Sequence, residues 1–317
     1  MLFAKDNTPL CFKICFFGGR KIRMKENNNI DNTSWLIMIF LSLVWGCSFI
    51  LIKKSLIAFD PAQLACLRLG ISSLAFAPVV WWHRHDIQWS DWPKFLAVGL
   101  TGSGFPAFLF FFAQTQISSS IAGLLNSLTP IWTLVIGIFY FQITIQQTKK
   151  LTGVILGFIG AASIILLGSE DVLGGNPLYG IFIVLATICY ASSVNMVQAF
   201  FGKTKPIIIS SMSFFMIGLP ALIYLVYSDF TYTLRTNELA WQALGAVTLL
   251  SLLGTVIASI LFYNLVQRTS AIFGSTVTYL MPVVAMMWGF LDGEIISVLH
   301  FTGMALILIG VYITKKN

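Results

Sequence analysis

The groups in this chain that could do chemistry are few, and the ones that stand out are cations in apolar surroundings. The run Leu43-Val44-Trp45-Gly46-Cys47-Ser48-Phe49-Ile50-Leu51-Ile52 leads straight into Lys53 and Lys54, and Arg68 stands between Leu67 and Leu69. A charge in such a setting is costly, so by default it marks a functional position with a counter-group. Lys53 and Lys54 close an apolar run. They could reach the lipid headgroups on flexible stems, or attract the carboxylate or phosphate of a solute. Arg68 lies too deep for that and needs a partner, for which Asp60, Gln63 and the polar groups of neighbouring helices are candidates. No Asp or Glu falls in the middle third of any apolar run. Such a residue is the usual proton relay of coupled carriers, and its absence favours facilitated diffusion or exchange. Asp292 and Glu294, at the end of a run, read as a solvated loop pair.

The same inventory argues against an enzyme. There is no H-E-x-x-H, and His83, His85 and His300 lie at the edges of apolar runs. Gly202-Lys203-Thr204 imitates the end of a phosphate loop, but position 197 is valine where glycine is required. No catalytic set, no metal ligands and no cofactor are expected. Cys47, Cys66 and Cys189 fall inside apolar runs, and Cys11 and Cys15 lie near the N-terminus, so all five are expected as free thiols.

The elements that hold these groups follow from composition. Of 317 residues, 57% are hydrophobic and 10% charged, with a mean hydropathy of +0.86. A soluble domain of this size could not cover its surface; this is the composition of a membrane protein. A helix needs roughly 20 apolar residues to cross about 30 Å of hydrocarbon, and the chain shows continuous apolar runs rather than the short alternating segments of a barrel. Uncharged stretches give spans near 35–55, 62–82, 94–115, 120–142, 150–168, 178–200, 206–227, 240–266, 271–291 and 296–314. Little chain is left for a soluble domain.

The net charge of +7 forms no single patch that would suit nucleic acid. It sorts by side. Arg84, Lys94, Lys149, Lys150, Lys203, Lys205, Arg268, Lys315 and Lys316 fall in even-numbered loops or at the end of the chain, whereas the loops after spans 3, 5 and 9 hold no Lys or Arg. The loop after span 7 has Arg235 beside Asp229 and Glu238. By the positive-inside rule both termini are cytoplasmic; Lys53 and Lys54, at the outer end of span 1, are the exception to the pattern. Residues 1–34 read as a cytoplasmic tail without a signal peptide, and Met24 offers a second start, so that 1–23 could be a start-site artefact.

An internal repeat is visible. Sliding Ser118–Ile143 by 152 residues onto Ser270–Ile295 superposes Pro130 on Pro282, Gly137 on Gly289, Ser118 on Ser270 and Gln142 on Glu294. At an offset of 150, Thr152-Gly153 matches Thr302-Gly303 and Gly160 matches Gly310. Trp45-Gly46 matches Tyr190-Ala191 more weakly. Five helices per copy is an odd number, so the second copy enters the membrane from the opposite side. The expected fold is an all-α polytopic membrane protein of ten transmembrane helices in two inverted five-helix repeats, 35–168 and 178–314. Pro130 and Pro282 lie about ten residues, or about 15 Å, into their spans. Each would free the carbonyl four residues back, at Asn126 and Thr278, near mid-bilayer. Gly153, Gly157 and Gly160 are expected to allow close helix approach.

These features resemble the EamA-type permeases of the drug/metabolite transporter superfamily. The carriers of the resemblance are Trp45-Gly46-x-x-Phe49-x-x-x-Lys53, Arg68 in span 2 and the doubled small-residue, proline and glycine block. The resemblance covers residues 35 to 314 and says little about substrate. It implies a ten-helix carrier of small organic solutes, and it places a lysine like Lys53 facing the bundle. Many such permeases carry a carboxylate just before the span 4 or span 9 proline, where this chain has Thr129 and Met281; a coupling role for that acid is not supported here.

The expectation is therefore a secondary transporter in the bacterial inner membrane, moving an amino acid or another zwitterionic or anionic metabolite by alternating access. A facilitative channel or a non-transporting scaffold is the alternative. Expected partners are the solute and the lipid bilayer, not nucleic acid, and the oligomeric state is open between monomer and dimer. The candidate solute-binding residues are Trp45, Lys53, Arg68, Gln114, Asn126, Trp132, Tyr190, Asn195, Tyr263, Asn264, Thr278 and Trp288, with Pro130 and Pro282 as helix breaks.

Overall fold

The computed structural model describes residues 31–141, 149–167 and 175–315. The expected tail up to residue 30, with Cys11 and Cys15, lies outside these residues, as do Gln142, Lys316 and the side chains of Lys149, Lys150 and Lys315. Among the described residues there is no strand. The long helical elements are α1 (Asn32–Ser55), α2 (Pro61–Trp82), α3 (Trp89–Ala113), α4 (Ser119–Phe141), α5 (Lys149–Leu167), α6 (Pro177–Phe200), α7 (Pro206–Tyr227), α8 (Ala240–Arg268), α9 (Ala271–Leu291) and α10 (Val298–Lys315). A short helix, Phe230–Thr236, precedes α8. α1 to α4 and α6 to α9 are long and apolar enough to cross a membrane, and Val298–Gly310 in α10 is a shorter apolar helix. The chain is a multi-pass integral membrane protein.

Local sequence sets the helix starts. The Asp31 carboxylate accepts the Ser34 N–H at 2.8 Å and caps α1. At α2 the Asp60 carboxylate accepts the Ala62 and Gln63 N–H groups at 2.8 and 2.9 Å, and the Gln63 side chain accepts the Asp60 N–H at 3.3 Å. With Pro61 at the first helical position this is a capping box, which satisfies N–H groups that have no partner within the helix. Asp60 and Gln63 are thus engaged with backbone and do not serve Arg68, whose partner is instead a polar group of a neighbouring helix, the Thr255 hydroxyl of α8 at 2.9 Å. Asp60→Ala is expected to cost about 1 kcal/mol, read as a lower unfolding midpoint of the purified protein; an unchanged midpoint would remove the cap from the account.

Outside, Leu36, Leu74, Ile223 and Val226 face outward, as they do when the solvent is hydrocarbon. Trp81, Trp82, Trp89 and Trp92 are exposed at the junction of α2 and α3, where an aromatic belt would meet the headgroups. Inside, helices approach over small residues. A Cβ on Gly310 would lie 2.6 Å from the Gly153 carbonyl oxygen and 2.6 Å from the Gly157 nitrogen, so α10 runs backbone against backbone on α5.

The packing has a regular plan. α1 packs on α8 and α9, while α6 packs on α3 and α4. α2 packs on α7 and α8, α7 packs on α2 and α3, and α5 and α10 pack on each other, as do α4 and α9.

Among the described residues four helices are interrupted in their interior, and they are so in pairs. α4 breaks between its segments Ser119–Asn126 and Thr129–Phe141. α9 runs as Ala271–Ser275, then a 3-10 turn over Thr276–Tyr279, then Met281–Leu291. α3 widens into a π segment at Leu100–Gly104, and α8 does so at Leu252–Ile257. Breaks of this kind persist at membrane depth only where protein or a cavity satisfies the released backbone.

Candidate functional site

The irregular stretches converge on one cavity of about 110 Å³ enclosed by α1, α2, α3, α4, α6, α7, α8 and α9. Trp45, Arg68, Asn126, Tyr190, Tyr263 and Thr278 of the sequence candidates line it. The Trp45 indole N–H donates to the Gly254 carbonyl at 2.7 Å, taking up an oxygen of the π segment. Arg68 is 9% exposed, and its Nε donates to the Thr255 hydroxyl at 2.9 Å. Asn126 donates weakly to the Met281 sulfur at 3.7 Å, and its Oδ1 is buried without a partner. The Thr129 hydroxyl donates to the Asn126 carbonyl at 2.8 Å, so that oxygen, expected to be freed by Pro130, is capped. Pro130 and Pro282 are themselves buried and start the second segments of α4 and α9.

The other candidates are placed elsewhere, each by a nearer partner. Gln114 donates to the Phe49 carbonyl at 2.9 Å, and Asn195 to the Thr133 and Ala191 carbonyls at 3.0 and 2.8 Å. Asn264 accepts from Arg268 at 2.6 Å. Trp132 packs edge-on against Phe158 with centroids 5.0 Å apart. Trp288 donates to the Cys47 sulfur at 3.1 Å and faces a second, mostly apolar groove with Leu43, Leu249 and Leu253.

Lys53 does not line the cavity either. Its ammonium lies 2.8 Å from Asp292 and 3.1 Å from Glu294, and Lys54 pairs with Asp292. Glu294 also accepts the Ser119 and Ser120 N–H groups at 2.8 and 3.0 Å and the Ser120 hydroxyl at 2.6 Å. Its side chain is 5% exposed, so the expected solvated loop pair is instead a buried junction of α1, α4 and the α9–α10 turn. Burial alone would raise the Glu294 carboxyl. The Ser120 and Ser119 donors and the Lys53 charge outweigh it and hold the group below its ordinary value. Asp292 is likewise held low, burial again being opposed by Lys53 and Lys54. The lysines at the end of α1 are therefore neutralised internally.

Several wall residues went unrecognised in the sequence: Ser48, Ser193, Gly102, Gly254, Thr255, Phe110 and Phe262. The repeat contains the signal that would have found them. An offset of 145 puts Trp45 on Tyr190 and Ser48 on Ser193. An offset of 152 puts Gly102 on Gly254, Phe110 on Phe262, Asn126 on Thr278 and Thr129 on Met281, and all twelve line the cavity. The contacts are matched as well. A Cβ on Gly254 would lie 3.0 Å from the Ser48 hydroxyl, and one on Gly102 would lie 2.5 Å from the Ser193 hydroxyl. In each π segment a serine hydroxyl of the facing helix thus sits close against the glycine.

With walls that carry hydroxyls, an amide, phenols and one guanidinium, the cavity can hold a small solute by hydrogen bonds and an ionic contact. Among the described residues no group of His, Cys, Asp and Glu could hold a metal ion.

Comparison with known proteins agrees with this geometry. A solved structure covering 89% of this chain and 96% of its own superposes with a TM-score of 0.60 at 17% identity, a likeness of fold. An uncharacterized transporter of Archaeoglobus fulgidus is 26% identical over 285 residues, 89% of this chain and 99% of that protein. The uncharacterized inner membrane transporter YedA of Escherichia coli K12 is 25% identical over 86% of this chain and 87% of its own. A probable amino-acid metabolite efflux pump of Salmonella typhimurium is 26% identical over 87% of this chain and 93% of its own. The model of the EamA-like transporter family matches residues 33–166 and again 178–315. With nearly the whole chain matched in two segments, around a cavity walled by equivalent residues of both, this protein belongs to the EamA-like transporter family.

Proposed function

We propose that the chain moves a small organic metabolite across the bacterial inner membrane by alternating access. In this reading it is a secondary transporter of ten transmembrane helices, in two inverted five-helix repeats over 35–168 and 178–314, with both termini cytoplasmic. The observation that carries it is the convergence of the paired interruptions, α4 with α9 and α3 with α8, on one cavity. The packing plan supports it. Exchanging each helix for the one five places away turns α1 on α9 into α6 on α4, and α3 on α7 into α8 on α2, all of which are present. Two halves related in this way can rock between mirrored states around a shared site. The name of the Salmonella relative, a probable amino-acid metabolite efflux pump, supports a small carboxylate-bearing metabolite.

Purified protein in proteoliposomes is expected to give saturable, counterflow-competent flux of one member of a small-metabolite panel. Linear flux would replace the reading with a channel, and no flux across the panel would replace it with a scaffold.

A further inference from the structure

We propose that Arg68 is an anion anchor and that the solute is a small monocarboxylate of net negative charge. This deepens the transport reading and rests on it. Arg68 is 9% exposed, lines the cavity and spends its Nε on Thr255, while its two Nη nitrogens make no hydrogen bond or ion pair with any described residue. The described wall has no Asp or Glu. Acids elsewhere in the fold are already engaged: Asp292 and Glu294 with Lys53 and Lys54, and the Asp60 carboxylate with the start of α2. A buried cation without a counter-charge is costly. A planar guanidinium with both Nη nitrogens free matches the two oxygens of a carboxylate.

The symmetry of the wall isolates this charge. The offset of 145 that pairs Trp45 with Tyr190 pairs Arg68 with Ser213, so the cation has no equivalent in the other half. A second polar group is available on the same wall. Asn126 is 2% exposed, with an unpartnered Oδ1 and a donor held only by the Met281 sulfur. Phe49, Phe110, Phe214 and Phe262 supply the apolar remainder of the wall. A cavity of about 110 Å³, below the ~150 Å³ that encloses a benzene ring, suits a small acid. A substrate ammonium would meet no acid on this wall.

The test uses straight-chain monocarboxylates from acetate to hexanoate, each beside its amide and its amine, with 2-aminobutyrate as a zwitterion. Binding raises the unfolding midpoint of the purified full chain by mass action. At least one carboxylate is expected to shift the midpoint at least tenfold more potently than its amide, its amine, the zwitterion or chloride at equal ionic strength. Arg68→Met is expected to abolish that shift without lowering the midpoint of the empty protein, because it removes an uncompensated charge; Arg68→Lys should retain part of the shift. Equal shifts from carboxylate and amide, an equal shift from chloride, no shift from any acid, or a less stable empty Arg68→Met protein with unchanged carboxylate binding would each overturn the assignment. Saturable flux of an uncharged solute with no carboxylate binding removes the anchor and leaves the transporter. Carboxylate binding without flux does the reverse.

Discussion

Glu294→Ala is expected to destabilise the folded protein by about 3 kcal/mol, the lower end of the range for breaking a buried ion pair. The carboxylate is 5% exposed and accepts from Lys53, from Ser120 and from two N–H groups at the start of α4. Removing it leaves those N–H groups without their acceptor and Lys53 with Asp292 alone. The lower end applies because Lys53 is 38% exposed and partly screened by solvent. Chemical unfolding of the purified protein in defined micelles measures the effect. A change below about 0.5 kcal/mol would mean that the junction contributes no more than an ordinary surface pair.

The junction also sets a pH dependence. Glu294 is held below its ordinary value of 4.5 in the fold, so the folded state binds its proton less readily than the unfolded chain does. Its stabilisation is complete above that ordinary value and is lost as pH falls through the lower, folded one. Asp292, lowered from 3.8, acts in the same direction. Stability of the native protein should fall on acidification below about pH 4.5, and Glu294→Gln should flatten that decline. An identical acid limb in both proteins would place the sensitive groups elsewhere.

Gly310→Val is expected to cost about 3 kcal/mol, the upper part of the usual range for overpacking. The atoms that a Cβ would meet are backbone: the Gly153 carbonyl oxygen and the Gly157 nitrogen at 2.6 Å, and the Gly157 Cα at 3.0 Å. Backbone cannot rotate aside as a side chain can, so α5 and α10 must separate. No described residue of either helix lines the cavity. The surviving folded fraction should therefore keep its KM while its unfolding midpoint drops. Gly245 is the control, since nothing lies within 4 Å of a Cβ there, and Gly245→Ala should be neutral or stabilising by up to about 1 kcal/mol. Equal midpoints for Gly310→Val and Gly245→Ala would disprove the close contact.

Much of this molecule was legible in one dimension because the lipid imposes a simple rule. A segment that crosses hydrocarbon must be apolar, helical and about 20 residues long, so the positions of the helices follow from hydropathy. The proline breaks of α4 and α9 were visible as Pro130 and Pro282 at one offset, and Trp45, Arg68, Asn126, Tyr190, Tyr263 and Thr278 as polar or aromatic groups at depth. The π segments were not visible, since Leu100–Gly104 and Leu252–Ile257 carry no residue that forces an extra backbone turn.

By itself, then, the sequence determined a multi-pass helical protein, its duplicated small-residue and proline block, and a few costly polar groups within it. Which of those groups share a cavity was decided only in the tertiary structure. Lys53 and Arg68 look alike in the chain, as cations in apolar runs, but the turn after α9 brings Asp292 and Glu294 to Lys53, 239 and 241 residues away in sequence, and brings no acid to Arg68. A charge's role depends on its counter-charge, and hydropathy is a local property that holds no record of which distant segment supplies one.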